Sequence, residues 1–133
     1  MSNLVEDAKK ILLTNRRAGF TLPTNNKLYP AQWNWDSAFI SLGYSYFNLD
    51  YAIEELETLL KGQWDDGMVP HILFHEVDDS YFPNHTTWSC GKKIPSSGIT
   101  QPPIAASILS MIVKNNELNE TQKKKVFSIL LFI

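Results

Sequence analysis

Apolar residues recur along this chain mostly at helical intervals, and that pattern predicts an α-helical protein. Leu4, Ala8, Ile11 and Leu12 repeat behind Asn3, with Glu6 three residues after it, the signature of a capped helix start. Ser37 to Phe47 is dense in apolar and aromatic residues (Phe39, Ile40, Leu42, Tyr44, Phe47) and predicts a more deeply buried helix. Asp50 reads as the cap of the next helix, with Ile53, Leu56, Leu59 and Leu60 on one face and Gly62 as its stop signal. Pro102 and Pro103 stand where a fourth helix begins, continued by Ile104, Ala105, Ile108, Leu109 and Ile112. A fifth is expected to start near Asn119 and run through Val126, Ile129 and Leu130.

Two long segments break the pattern. Phe20 to Asp36 and Gln63 to Thr100 hold most of the Pro, Gly, Trp and His. Loops of such length within a compact domain are usually functional. The expected plan is therefore all-α, with helices in hairpins and rich loops gathered at one end, in one unit over residues 1–133.

Composition narrows the function more than the fold. Net charge is −2 with no basic block, which gives no footprint for nucleic acid or an anionic membrane. Cys90 is the single cysteine, so no internal disulfide or multi-cysteine zinc site is possible, and a reducing compartment is expected. Met1 to Lys10 lacks the apolar run of a signal peptide, and Val126 to Ile133 is too short to span a bilayer. A cytoplasmic protein without membrane attachment is expected. Phe127 to Ile133 is nearly all apolar and reads either as a chain cut short or as a buried C-terminal helix, of which truncation is preferred.

Three constellations carry chemistry. Tyr29-Pro30-Ala31-Gln32-Trp33-Asn34-Trp35-Asp36 places two indoles, a phenol and an amide beside a carboxylate. Sugar rings offer apolar C–H faces to aromatic rings and hydroxyls to carboxylates and amides, so this group suits a pyranose. The alternative is that Trp33 and Trp35 are core and Asp36 is an N-cap. In Gln63-Trp64-Asp65-Asp66-Gly67-Met68-Val69-Pro70-His71, Asp66-Gly67 marks a turn, and His71 reads as a hydrogen-bonded structural residue before an acid–base group. His75 tempts a metal reading, which Pro70, the β-rich Ile72-Leu73-Phe74 and the lack of a fixed acidic ligand argue against. The third constellation runs from Tyr81-Phe82-Pro83 through Trp88 to Gly98-Ile99-Thr100-Gln101-Pro102-Pro103. Gln101 stands at a helix start, where it either caps or points into a cleft; Tyr81 and Trp88 either join the site or cover the loop.

Taken together, "YPAQWNWDSAFISLGY", "ELETLLKGQWDDGMVPHILFH", "YFPNHTTW" and "SSGITQPPIAA" resemble the N-terminal part of glycoside hydrolase family 63, in its mannosylglycerate and glucosylglycerate hydrolase branch. The likeness covers about residues 10 to 115, in four strings in the right order. It implies part of an (α/α)6 toroid with an inverting active site at one mouth, acting on a small α-glycoside without a cofactor or metal. It also implies that Tyr29, Trp33, Asp36, Tyr81 and Gln101 touch substrate, with Trp35 supporting that wall. None of these is the catalytic acid or base. In the family both catalytic carboxylates lie beyond the matched stretch, so the resemblance assigns no catalytic residue to this chain. About five helices are too few to close the ring, and the missing remainder of the toroid is the expected partner. After about Asn119 the sequence is expected to leave the family pattern, as a cut or shifted reading frame would. Two alternatives stand beside this reading: a non-catalytic carbohydrate-binding or interaction domain, and a fragment of a trehalase-type or glucosidase-type toroid hydrolase.

Overall fold

The structure, a computed structural model, describes residues 3–24, 28–76 and 78–133. Among them lie six helices: α1 (Leu4–Asn15), α2 (Asn34–Ser45), α3 (Leu49–Leu60), α4 (His85–Trp88), α5 (Ala105–Asn115) and α6 (Glu120–Leu130). The helix beyond the five expected is α4, one turn inside the second irregular segment, capped by Asn84 Oδ1 accepting from the Thr87 N–H at 3.0 Å.

Helices α2 and α3 form a hairpin joined by residues 46–48, and α5 and α6 a second joined by residues 116–119. Ile53, Leu56 and Leu60 of α3 meet Ala105 and Leu109 of α5 and Val126 and Ile129 of α6 in one core cluster. Ala38, Tyr44 and Ala52 meet Ile108 and Ile112 in a second. The periodicity of α3 is thus fully used. Its N-cap is Asn48, whose Oδ1 accepts from the Tyr51 N–H at 3.1 Å, and not Asp50. Asp50 lies in the first turn, where its carboxylate accepts instead from Gln122 Nε2 of α6 at 2.8 Å. Asn119 and Gln122 form a reciprocal capping box at the start of α6.

Helix α2 is buried differently from expectation. Its inward face is Ser37, Ala38, Ser41, Tyr44 and Ser45, while Phe39 is exposed. The small side chains let α3 approach closely, and Ser41 Oγ donates to the Ala52 carbonyl at 2.6 Å. A helix can therefore be buried through its hydroxyls and leave an aromatic ring outside. Helix α1 is the opposite case. Its cap forms as expected, with Asn3 Oδ1 accepting from Val5 N–H, but Leu4 and Ile11 stay exposed and only Leu12 packs toward the α2 cluster. At the other end Phe127, Leu130, Leu131, Phe132 and Ile133 are exposed, while Val126 and Ile129 enter the core.

The two irregular segments are not structureless. Gln32–Trp33 (β1) pairs antiparallel with Ile72–Leu73 (β2), in the register Gln32 with Leu73 and Trp33 with Ile72. Single bridges join Pro70 to Thr100, and Ser96 to both Leu73 and Cys90. The pairing brings the segment before α2 against the segment before α5. Gly62 makes room for it: a Cβ there would fall 2.3 Å from Leu73 Cδ2.

Candidate functional site

β1 runs directly into α2, so the first turn of α2 projects from the paired strands. Trp33 is the N-cap position of α2 but offers no capping side chain, and Asp36 sits two residues inside the helix. Asp36 is therefore not the N-cap. The orphan N–H of Trp35 is satisfied from elsewhere: Gln101 Oε1, 66 residues on, accepts from it at 3.1 Å. Gln101 does cap a helix, but it caps α2 and not α5, whose N-cap position is Ile104.

That cross-connection closes a recess of ≈ 310 Å³ lined by Pro23, Tyr29, Trp33, Asp36 and Gln101. Trp33 is its back wall, itself buried on Ala31, Ile72 and Phe74 with Tyr81 and Trp88 packed against the cluster. Tyr29 and Tyr81 stand edge-on to the Trp33 ring at 5.2 and 5.8 Å between centroids. Edge-on pairs of this kind add ~0.5–1.5 kcal/mol each beyond the area they bury, which favours one setting of the indole. Asp36 is half-buried, and desolvation raises its pKa above the usual carboxylate value; its own backbone N–H and the Trp35 side chain pull the other way. Burial, with Tyr29 beside it, likewise raises the Tyr81 phenol.

Of the residues singled out from the sequence, Tyr29, Trp33, Asp36 and Gln101 share this recess, and Tyr81 reaches it through Trp33. Trp35 does not line it. Its ring lies against Phe39, partly exposed, on the flank of the α2 first turn. His71 is taken up structurally: Nδ1 bonds Ser97 Oγ at 2.8 Å, and the ring meets Trp88 edge-on. Among the described residues no group of three or more His, Cys, Asp or Glu is placed to hold a metal, and no helix is long and apolar enough to cross a membrane.

Chemically, the recess offers two aromatic rings, one carboxylate and one carboxamide. Glycoside hydrolysis by inversion needs two carboxyl groups roughly 6.5–9.5 Å apart. Asp36 is the only carboxylate among the lining residues, so the recess is suited to hold a sugar and not to cleave one. Pro23 was not foreseen as a lining residue. Nor was the polar group behind the recess, Gln32, Ser37, Glu55 and His75. One signal for it exists in the sequence: Glu55 interrupts the otherwise apolar stripe of Ala52, Leu56 and Leu59.

Comparison with known proteins agrees with this architecture. A mannosylglycerate hydrolase from Selaginella moellendorffii is 44% identical over 131 residues, covering 96% of this chain and 27% of its own length. The crystal structure of the family 63 mannosylglycerate hydrolase from Thermus thermophilus in complex with Tris superposes with a TM-score of 0.87 at 38% identity, over 97% of this chain and 31% of that one. The same enzyme in complex with glucose superposes with a TM-score of 0.78 at 37% identity, over 99% of this chain and 32% of that one. The chain thus spans about 27% to 32% of the length of these relatives, and its helical hairpins are part of an (α/α) toroid. The expected departure after Asn119 is overturned, because the family match runs to residue 131 and includes α6. With residues 29–131 matching the mannosylglycerate hydrolase MGH1-like glycoside hydrolase domain, the chain belongs to that family.

Proposed function

We propose that the chain is the N-terminal part of an inverting glycoside hydrolase acting on a small α-glycoside of the mannosylglycerate or glucosylglycerate type, and that the recess is one wall of its sugar subsite. The observation that carries this reading is that Tyr29, Trp33, Asp36 and Gln101 line one recess. Trp33 and Tyr29 offer ring surface to the sugar C–H groups. Asp36 accepts from sugar hydroxyls through charge-assisted bonds. Gln101 donates from its amide while its Oε1 stays on the Trp35 N–H. Tyr81 acts behind them by holding the Trp33 ring edge-on, and Trp35 stands outside this wall, against Phe39. Asp36 binds and does not transfer protons; the general acid and base belong to the remainder of the toroid, outside residues 1–133. The chemistry needs no cofactor or metal, and the lone thiol suits a reducing, cytoplasmic setting.

The test is a glucose titration of the chain followed by tryptophan fluorescence, with a parallel assay for release of glycerate from mannosylglycerate and glucosylglycerate. A saturable glucose response that Asp36→Ala abolishes, with no turnover of either glycoside, is expected. Turnover by the chain alone, or a response that Asp36→Ala leaves unchanged, contradicts the reading.

A further inference from the structure

Behind the recess, Glu55 of α3 is fully buried. Its Oε1 accepts from Ser37 Oγ at 2.7 Å and from Gln32 Nε2 at 3.2 Å, and Gln32 Nε2 also donates to the Glu55 backbone carbonyl at 3.2 Å. The Gln32 amide nitrogen is thus committed to Glu55, and its Oε1 is left as an acceptor. That oxygen lies 2.7 Å from His75 Nε2, so His75 must carry its proton on Nε2. The imidazole stacks on Phe20 with centroids 4.3 Å apart. A single chain of bonds therefore runs from Ser37 through Glu55 and Gln32 to His75. Two of its members adjoin the recess: Gln32 precedes Trp33, and Ser37 follows Asp36.

An apolar residue at position 55 would satisfy packing, as Ala52 and Leu59 do on the same stripe. A buried carboxyl group is costly unless its bonds are used. We propose that Glu55 is a positioning residue: through Gln32 and Ser37 it fixes the backbone that carries Trp33 and Asp36, and the setting of that wall depends on whether Glu55 holds its proton. Its relevance to sugar binding rests on reading the recess as the sugar subsite.

The electrostatics give the direction. Burial pushes Glu55 from 4.5 up to about 7, against hydrogen bonds from Ser37, Thr21 and Gln32 that favour the ionised form. Tyr44 faces it from α2 and is itself raised, chiefly by burial and partly by Glu55; Arg16, paired with Glu54, adjoins Tyr44 and acts in the opposite sense. His75, reached through Gln32, is lowered by burial and by Lys61. Because the folded state holds the Glu55 proton more tightly than the unfolded state, its stabilising contribution is complete below 4.5 and is lost as pH rises through about 7. The proton belongs on Oε2, since Oε1 already accepts from Ser37 and Gln32. Ionisation spreads a buried charge over both oxygens and tightens the Ser37 and Gln32 bonds to Oε1, which draws on the backbone that carries Trp33 and Asp36.

The experiment is an NMR titration of the sugar-free chain carrying ¹³C at the glutamate carboxyls and ¹⁵N in the indole and imidazole rings, from acid to mildly alkaline pH. The Glu55 carboxyl should titrate near 7, the Trp33 indole should shift with the same midpoint, and His75 should show the Nε2–H tautomer. Glu55→Gln should remove the Trp33 inflection. Ser37→Ala withdraws a donor that favours the carboxylate, so it should raise both midpoints together, and it carries the test if Glu55→Gln does not fold. An ordinary Glu55 midpoint, a Trp33 inflection that persists in Glu55→Gln, or midpoints that separate in Ser37→Ala would overturn the proposal. Failure of the sugar reading is seen separately, as an indole spectrum that added glucose leaves unmoved at every pH.

Discussion

Gln32 and Trp33 are neighbours in β1 and serve opposite surroundings. Gln32 turns into the α2–α3 hairpin, where it is fully buried and bonded on both ends of its amide to Glu55 and His75. Trp33 turns to an aromatic cluster with one open side, where the recess lies. Alternation along a strand makes this division possible within two residues. On the closed side protein groups satisfy one another, so a substitution there is read as stability. On the open side Asp36 and Gln101 line the recess, so under the proposed function a substitution there is read as binding.

The largest effect that this contrast predicts is on the open side. If the recess is the proposed sugar subsite, Asp36→Ala in a full-length hydrolase containing this chain should lower kcat/KM by about 10²–10⁴-fold, the loss of two charge-assisted bonds of ~1.5–3 kcal/mol each. Stability should hardly change, because a carboxylate in a helix first turn contributes only ~0.3–1 kcal/mol. Asp36→Asn should recover a part of the activity, since an amide retains one acceptor and turns the other into a donor. Equal losses of stability and turnover in Asp36→Ala would erase the distinction between the two sides.

Next in size is the closed side. Gln32→Leu leaves the His75 Nε2–H without an acceptor and takes one donor from Glu55. A stranded buried polar group costs ~1–3 kcal/mol and a lost hydrogen bond ~0.5–1.5 kcal/mol, so a loss of about 2–4 kcal/mol in urea unfolding is expected. A neutral substitution would mean that the chain of bonds contributes nothing.

The two sides were not equally legible in the sequence. On the open side Tyr29, Trp33 and Asp36 announce themselves by residue type in one short string, and Gln101 by its place before two prolines. What the sequence did not disclose is that Gln101 reaches back across 66 residues to cap α2, because that depends on the strand pairing. The pairing itself was hidden, since two-residue strands carry no periodic signal. On the closed side the period of α3 is legible at Ile53, Leu56, Leu59 and Leu60, but Glu55 has the look of ordinary surface charge until its partners are in place. Caps are legible only to within a turn, with Asn48 taking the role expected of Asp50 because its side chain, and not the aspartate's, reaches the Tyr51 N–H. Periodicity also overstates burial where neighbours are lacking: Leu4 and Ile11 of α1 have the spacing of a core face and remain exposed.

The strand pair that divides the two sides can be tested by itself. A Cβ at Gly62 would meet Leu73 Cδ2 at 2.3 Å, and Leu73 is fully buried in β2. Overpacking of this kind costs ~1–3 kcal/mol, so Gly62→Ala should lower the thermal midpoint. Leu73→Val in the same chain should return part of the loss by shortening the side chain it strikes. If the double variant is no better than the single, the clash is not the cause.

The smallest effect separates two jobs performed by one side chain. Gln101 Oε1 accepts from the Trp35 N–H, which serves α2, and under the proposed function its amide nitrogen donates to a ligand in the recess. Gln101→Ala should lose both, costing ~0.5–1.5 kcal/mol of stability for the bond together with affinity for glucose. Gln101→Glu retains the acceptor and replaces the donor. A carboxylate beside the N-terminus of α2 is favoured by the helix dipole by ~0.3–1 kcal/mol, while Asp36 in the same recess opposes a second negative charge. The two terms are of similar size, so thermal stability should stay within about 1 kcal/mol of the parent. Glucose affinity should nevertheless fall as it does in Gln101→Ala, because the amide donor is gone in both. Unfolding and glucose titrations of the three chains check this. A glutamate that binds glucose as well as glutamine would show that Gln101 serves α2 alone and belongs, with Gln32, to the closed side.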